Sequence, residues 1–311
     1  MRYRWNDFFL RQFGQDSLQK VSADWFYAHE TLPDFMIDWW KDAIKSGYDI
    51  SRIITATANA SHRCVIGDDA LCGRFCFAHK EKEGAQWMRA EVASTYRNEQ
   101  KKLQEQWLEA SIFISTDIEP LPGDKDKEAT EITNITKKLL LAMIDSPPAG
   151  VILHTHTNLS MRGDILPILI DLNQALKGNF ITGVWFETDA VNLPNDLPPP
   201  CTSIEDRMKT IETLANKGIK TQAAVAPLVW FEDFESFAKR FPEIWAYRIM
   251  VGDLRLDFAI WWTKKAAQLK AQLGLPAPTQ EEAKAYFESL GYDPKLVAFR
   301  DQFYVVLPGK D

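Results

Sequence analysis

Four cysteines occur in this 311-residue chain, and three of them, Cys64, Cys72 and Cys76, fall within thirteen residues. Thiolates are soft ligands that suit iron–sulfur clusters or zinc. In a long chain with few cysteines, such clustering suggests metal or redox chemistry before disulfides. Three cysteines can hold three irons of a cubane cluster and leave the fourth iron open to chelate a small molecule. The same loop carries His79, which would complete a tetrahedral zinc set with Cys64, Cys72 and Cys76. Spacing alone leaves cluster, zinc and unligated cysteines open, and with zinc the chain reads instead as a non-catalytic barrel whose Cys/His loop is zinc-stabilised and which binds a partner protein. The fourth cysteine, Cys201, lies far downstream in a loop.

A second constellation is His154 and His156, two positions apart. On a strand, residues two apart point to one side, and paired imidazoles there can bind a metal that activates water. Such hydrolase sites draw further histidines from later strands. The five histidines here are His29, His62, His79, His154 and His156, so none follows the pair. Arg63, Arg74, His79, Lys80 and Lys82 surround the cysteine loop and could face an anionic substrate such as nucleic acid, or simply solvent.

The elements that must position these groups alternate along the chain. Strand-like runs are Arg52–Ala58, Ser111–Ser115, Gly150–His154, Ile181–Phe186, Lys220–Ala226 and Ile244–Val251. Between them helical spacing occupies Gln86–Glu109, Lys125–Asp145, Asp164–Leu176, Ser203–Asn216 and Phe231–Arg240. Pro147 and Pro148, Gly178 and Gly218 act as stops, and Ser203 with Asp206 as a start signal. Strands separated by helices of this length imply parallel pairing with right-handed crossovers. The expected fold is α/β, a partial (βα)6 TIM-type barrel, although the pattern alone does not separate it from an open doubly wound sheet. Residues 1–50 read as a helical N-terminal extension, with Asp34–Ser46 as one helix, and 51–252 as the barrel. Residues 253–311 read as a C-terminal extension containing helices at Leu256–Leu273 and Thr279–Leu290 and a strand-like run at Gln302–Leu307.

Composition narrows the class further. Apolar residues make up 46% and charged residues 25%, which permits a sizeable core and argues against wholesale disorder. The net charge of −7 excludes a general nucleic-acid coat but not a local basic groove. The first residues lack the apolar core of a signal peptide, and no apolar run is long enough to span a bilayer, so the expected location is the cytoplasm, with no membrane partner.

Five segments, in order, resemble the radical S-adenosylmethionine (SAM) enzymes, and within them the relatives of spore photoproduct lyase. They are the cysteine loop with Phe75 and Phe77 flanking Cys76; Ile112–Pro120; Val151–Thr157 with Arg162–Asp164; Thr182–Asp189; and Ser203–Leu214 with Lys217–Leu228. The resemblance covers roughly residues 52–250. Its cysteine spacing is longer than the family's Cys-x3-Cys-x2-Cys, and Ile114–Pro120 lacks the cysteine that spore photoproduct lyase keeps there. The resemblance implies a [4Fe–4S] cluster on Cys64, Cys72 and Cys76, SAM as cofactor, and an electron donor such as flavodoxin or ferredoxin. It implies generation of a 5′-deoxyadenosyl radical, with the net reaction, lyase or oxidoreductase, left open. By the same likeness Ser115 or Thr116 would bind the methionine moiety, His156 would lie near its carboxylate, and Glu187 would approach the ribose or amino group. Phe77, Ala226 and Pro227 would pack on adenine, and Cys201 is the spare thiol that could donate a hydrogen.

Overall fold

The computed structural model describes residues 18–20, 27–29, 53–61, 64–66, 70–75, 88, 90–105, 107, 109–114, 118–190, 193, 197–251, 277–292 and 295–296. Strands β1 (Leu18–Lys20) and β2 (Tyr27–His29) form a small antiparallel ribbon. This differs from the helical expectation for residues 1–50; the expected helix Asp34–Ser46 lies outside the described residues. The main body begins with β3 (Ile53–Thr57), followed by the short helix α1 (Leu71–Phe75) and then α2 (Val92–Glu105). Strand and helix alternate from there: β4 (Glu109–Ile114), α3 (Lys127–Asp145), β5 (Gly150–Thr155), α4 (Leu166–Ala175) and β6 (Phe180–Thr188). The second half continues with α5 (Ile204–Asn216), β7 (Lys220–Trp230), α6 (Phe234–Glu243), β8 (Arg248–Val251), α7 (Gln280–Ser289) and β9 (Lys295–Leu296).

All seven strands from β3 to β9 are parallel, and their order in the sheet is their order in the chain. A doubly wound sheet reverses its strand order at a switch point. This sheet does not, so every crossover winds the same way and the helices fall on one face, as in a barrel. Alternate residues on each strand bear this out. Ile112, Ile114, Val151 and Leu153 pack among Ile132, Leu139 and Leu169 of the helices, and Val184, Phe186, Ala223, Val225 and Ile249 pack among Met208, Ile211, Phe237 and Phe241. The intervening positions Phe113, Ile152, Ile181, Trp185, Ala224, Ala226 and Met250 form a separate cluster on the concave face. Among the described residues no ladder joins β3 to β9, so the barrel is partial. It gains a seventh strand beyond the six expected, because Lys295 and Leu296 pair with Met250 and Val251.

Local signals set the helix ends. The Asp126 carboxylate accepts from Ala129 N at 2.7 Å to start α3, and Ser203 Oγ accepts from Asp206 N at 3.1 Å to start α5. Thr279 and Glu282 form a full capping box on α7. Gly178 (φ +79°) and Gly218 (φ +73°) take the left-handed conformation where α4 and α5 turn back toward the sheet. Helix α3 buries Ile132, Ile135, Leu139, Leu140 and Met143 along one face. Each such side chain contributes about 1.5–3 kcal/mol of hydrophobic stabilisation.

Candidate active site at the barrel mouth

In parallel barrels, functional groups gather at the C-terminal ends of the strands. Here the cysteine loop after β3 folds across that end. Cys64, Ile66, Ala70, Leu71 and Cys72 pack with Ile118, just after β4, and with Val229 and Trp230 at the end of β7; Leu193, Leu197 and Cys201 complete the wall. A backbone hydrogen bond from Leu71 N to Pro199 O, 2.9 Å, ties the cysteine loop to the proline-rich loop that carries Cys201. Cys64 and Cys72 are buried and no disulfide joins them. Cys76, Phe77, Ser115 and Thr116 lie outside the described residues, as does His79, which the zinc reading requires.

Beside Cys201 the chain buries a complete ion pair. Arg207, on α5, reaches over β6 and places Nη1 and Nη2 at 2.5 and 3.1 Å from the two carboxylate oxygens of Glu187. Its Nη1 also donates to Trp185 O at 2.8 Å, and Nη2 lies 3.6 Å from Cys201 Sγ. The side chains are 0% and 1% exposed. Burial would lift the Glu187 carboxyl, but the charge and hydrogen bonds of Arg207 outweigh it and hold Glu187 below the usual carboxylate range. Glu187 thus faces the mouth as half of a pair. A hydrogen bond from the Cys72 thiol, opposed by burial and assisted by Arg207 and His156, pulls the Cys201 thiol down to about 6.

At the same mouth Glu119, itself buried, organises the end of β5. It accepts from Thr155 Oγ1 at 2.7 Å, from His156 N at 2.7 Å and from Leu121 N at 3.0 Å. The His156 Nδ1 stands 3.5 Å from Glu119 Oε2, and its ring stacks on Trp185 with centroids 6.1 Å apart. Burial pulls the imidazole down, but Glu119, with the charges of Cys201 and Glu187, carries it above its ordinary value. His156 stands at the mouth with 24% of its side chain exposed.

His154 does something different. Its ring lies in the concave core, edge-on to Phe113 and Trp185 at 4.8 and 5.1 Å, with Nε2 2.9 Å from Gln222 Nε2. Gln222 Oε1 accepts from Arg248 Nε, which orients the amide so that its NH2 donates to His154 Nε2. Burial, then the charges of Arg248 and His156, hold His154 well below its ordinary pKa and so neutral. A Cβ on Gly183, its register partner, would stand 2.1 Å from His154 Cδ2. The pair His154 and His156 is thus split between core and mouth, which opposes the hydrolase reading. Among the described residues no three histidine, cysteine, aspartate or glutamate side chains converge to hold a metal.

Ala226 lies on the concave wall with Trp185 and Met250, and Pro227 follows it through a cis peptide bond. Asp189, another strand-end carboxylate, accepts from Glu232 N and Asp233 N at 2.7 and 2.8 Å and closes the turn after β7. The sequence reading missed Glu119, Trp185, Arg207, Gln222 and Arg248 as site residues. Only Glu119 carried a signal, as a carboxylate following a strand and preceding Pro120.

Fold and mouth together define a singly wound α/β partial barrel whose first crossover carries thiols across the C-terminal end. No family model and no curated protein matches the chain. Among solved structures the chain is similar to a spore photoproduct lyase double mutant with bound AdoMet and dinucleoside spore photoproduct, at 11% identity and a TM-score of 0.42. The likeness covers 66% of this chain and 66% of that one, just under two thirds. No helix among the described residues is long and apolar enough to cross a membrane.

Proposed function

We propose that this protein is a radical SAM enzyme whose cysteine loop holds a [4Fe–4S] cluster. The observation that carries the reading is the cysteine loop itself, which follows the first strand of a singly wound parallel barrel and packs on its C-terminal mouth. Two of its three thiols are set in an apolar wall, a donor type and a setting that suit an iron–sulfur cluster. Cys64, Cys72 and Cys76 would hold the cluster, and when bound, cluster and SAM supply a 5′-deoxyadenosyl radical.

The remaining roles fall to the chain's own side chains. Ser115 or Thr116 and His156 bind the methionine moiety, with the hydrogen bond to Glu119 favouring the protonated form of His156. The Glu187–Arg207 pair offers a fixed dipole to the polar part of SAM. Phe77, Ala226 and Pro227 supply apolar contact for adenine. Phe113, Ile152, Ile181 and Trp185 keep water out of the lumen, which a radical reaction requires. Cys201, the chain's one cysteine outside the cysteine loop, is the candidate hydrogen-atom donor. An electron donor such as flavodoxin or ferredoxin completes the system, and the substrate is the open variable.

The test is product analysis. Cluster-loaded protein given SAM and dithionite is expected to yield 5′-deoxyadenosine, and the Cys64→Ala, Cys72→Ala, Cys76→Ala triple variant none. A cluster-loaded, reduced protein that leaves SAM intact would overturn the proposal.

A further inference from the structure

Cys72 and Cys201 come from separate loops and meet at the mouth. The Leu71 N to Pro199 O bond fixes the two loops one residue before Cys72 and two before Cys201. Cys72 and Cys201 pack on the same apolar wall, the Cys72 side chain within reach of the Cys201 sulfur. Pro198, Pro199 and Pro200 immediately precede Cys201, so their fixed φ angles limit how far that segment can move away. Arg207 Nη2, 3.6 Å from Cys201 Sγ, is itself immobilised by Glu187, so a cation is permanently aimed at this sulfur. Cys201 is half-buried, and Cys72 is buried.

We propose that Cys72 and Cys201 are a disulfide-forming pair that closes by exchange with a small-molecule disulfide such as oxidised glutathione, and that closure withdraws Cys72 from the ligand set of the cysteine loop. Cys201, as thiolate, attacks one sulfur of the small disulfide, whose S–S bond breaks and whose other half leaves as a thiol after taking a proton from water. The Cys72 sulfur, deprotonated, then attacks Cys201 in the mixed disulfide and expels the second thiol. In sum two protein thiols lose two electrons, and one small disulfide becomes two thiols. The first half of the proposal stands on the geometry alone; the second rests on Cys72 being a cluster ligand.

Disulfide mapping tests both halves. The full chain, purified without cluster, is exposed to oxidised glutathione, alkylated and digested without reductant. The expected major product is a peptide pair joined through Cys72 and Cys201, absent from Cys201→Ser, with the wild-type link reversed by reduced glutathione. A dominant link between Cys64 and Cys72 or Cys72 and Cys76, or a glutathione adduct that persists on Cys201, overturns the pairing. The oxidised protein is then reconstituted with iron and sulfide. Iron uptake is expected to fall at least about tenfold, the scale reached even by changes outside the ligands of a metal site, and to return on reduction, while Cys201→Ser treated alike retains full uptake. Full uptake by the disulfide form overturns the second half. A disulfide that forms in a protein taking up no iron when reduced upholds the pair and sinks the cluster reading instead.

Discussion

Glu187→Ala is expected to destabilise the folded protein by about 3–5 kcal/mol, measured as a lower urea midpoint at unchanged slope. The reason is the partner left behind. Arg207 is fully buried, and without Glu187 its guanidinium keeps, among the described residues, only Trp185 O and the Cys201 sulfur as acceptors. An uncompensated buried cation costs far more than the pair contributes over an apolar substitute. Glu187→Leu combined with Arg207→Met should therefore recover most of the loss. Acid dependence provides an independent check. The Glu187 pKa is lowered on folding, so its stabilisation is present above the ordinary carboxylate range and disappears as pH falls through the lower folded value. The double variant should lack that part of the acid transition. A cost below about 1 kcal/mol for Glu187→Ala, the level of an exposed pair, would contradict the buried geometry.

Gly183→Ala is the second large effect. Its new Cβ would stand 2.1 Å from Cδ2 and 2.3 Å from Nε2 of His154, and the ring is walled in by Phe113 and Trp185. Overpacking of this kind costs about 1–3 kcal/mol. Moving the ring also breaks its bond to Gln222, and a buried donor that loses its partner costs about 1–3 kcal/mol more. Gly183→Ala combined with His154→Ala should be markedly more stable than the two single losses added together, with a coupling of about 0.5–3 kcal/mol; strict additivity would refute the contact. His154 also sets a pH response. Its pKa is lowered on folding, so its contribution is present above the unfolded value near 6.5 and lost as pH falls below it. His156 runs the other way: its raised pKa stabilises fully below that value and is lost as pH rises through the folded one. His154→Ala should flatten the acid limb, and His156→Gln the alkaline one.

The order of strands and helices was legible because punctuation and periodicity agreed, with Gly178, Gly218 and Ser203 falling where α4 and α5 end or begin. The choice between a barrel and a doubly wound sheet was not, since it depends on which strands neighbour one another. Strand β7 was expected to stop at Ala226 because Pro227 cannot donate to a ladder. It continues to Trp230 because Pro227 falls in the irregular stretch between the Phe186–Val225 and Thr188–Trp230 pairings. The ribbon β1–β2 was hidden in a segment whose apolar spacing suggested helix.

At the site, residue type made Cys64, Cys72, His156 and Glu187 visible, while Arg207, which lies against Cys201, was invisible. Arg207 sits in an amphipathic helix, where a charged residue reads as solvent-facing; only the placement of Glu187 on β6 makes burial tolerable. His154 looked like half of a metal pair because Gly183 and Gln222, which claim it for the core, meet it only through strand register.

Anaerobic reconstitution of the full chain with iron and sulfide tests the central claim most directly. The account predicts about four irons per chain, visible charge-transfer absorption of a cluster, and loss of both in the Cys64→Ala, Cys72→Ala, Cys76→Ala variant. Stoichiometric zinc retained in place of iron, with no cluster absorption, would contradict it.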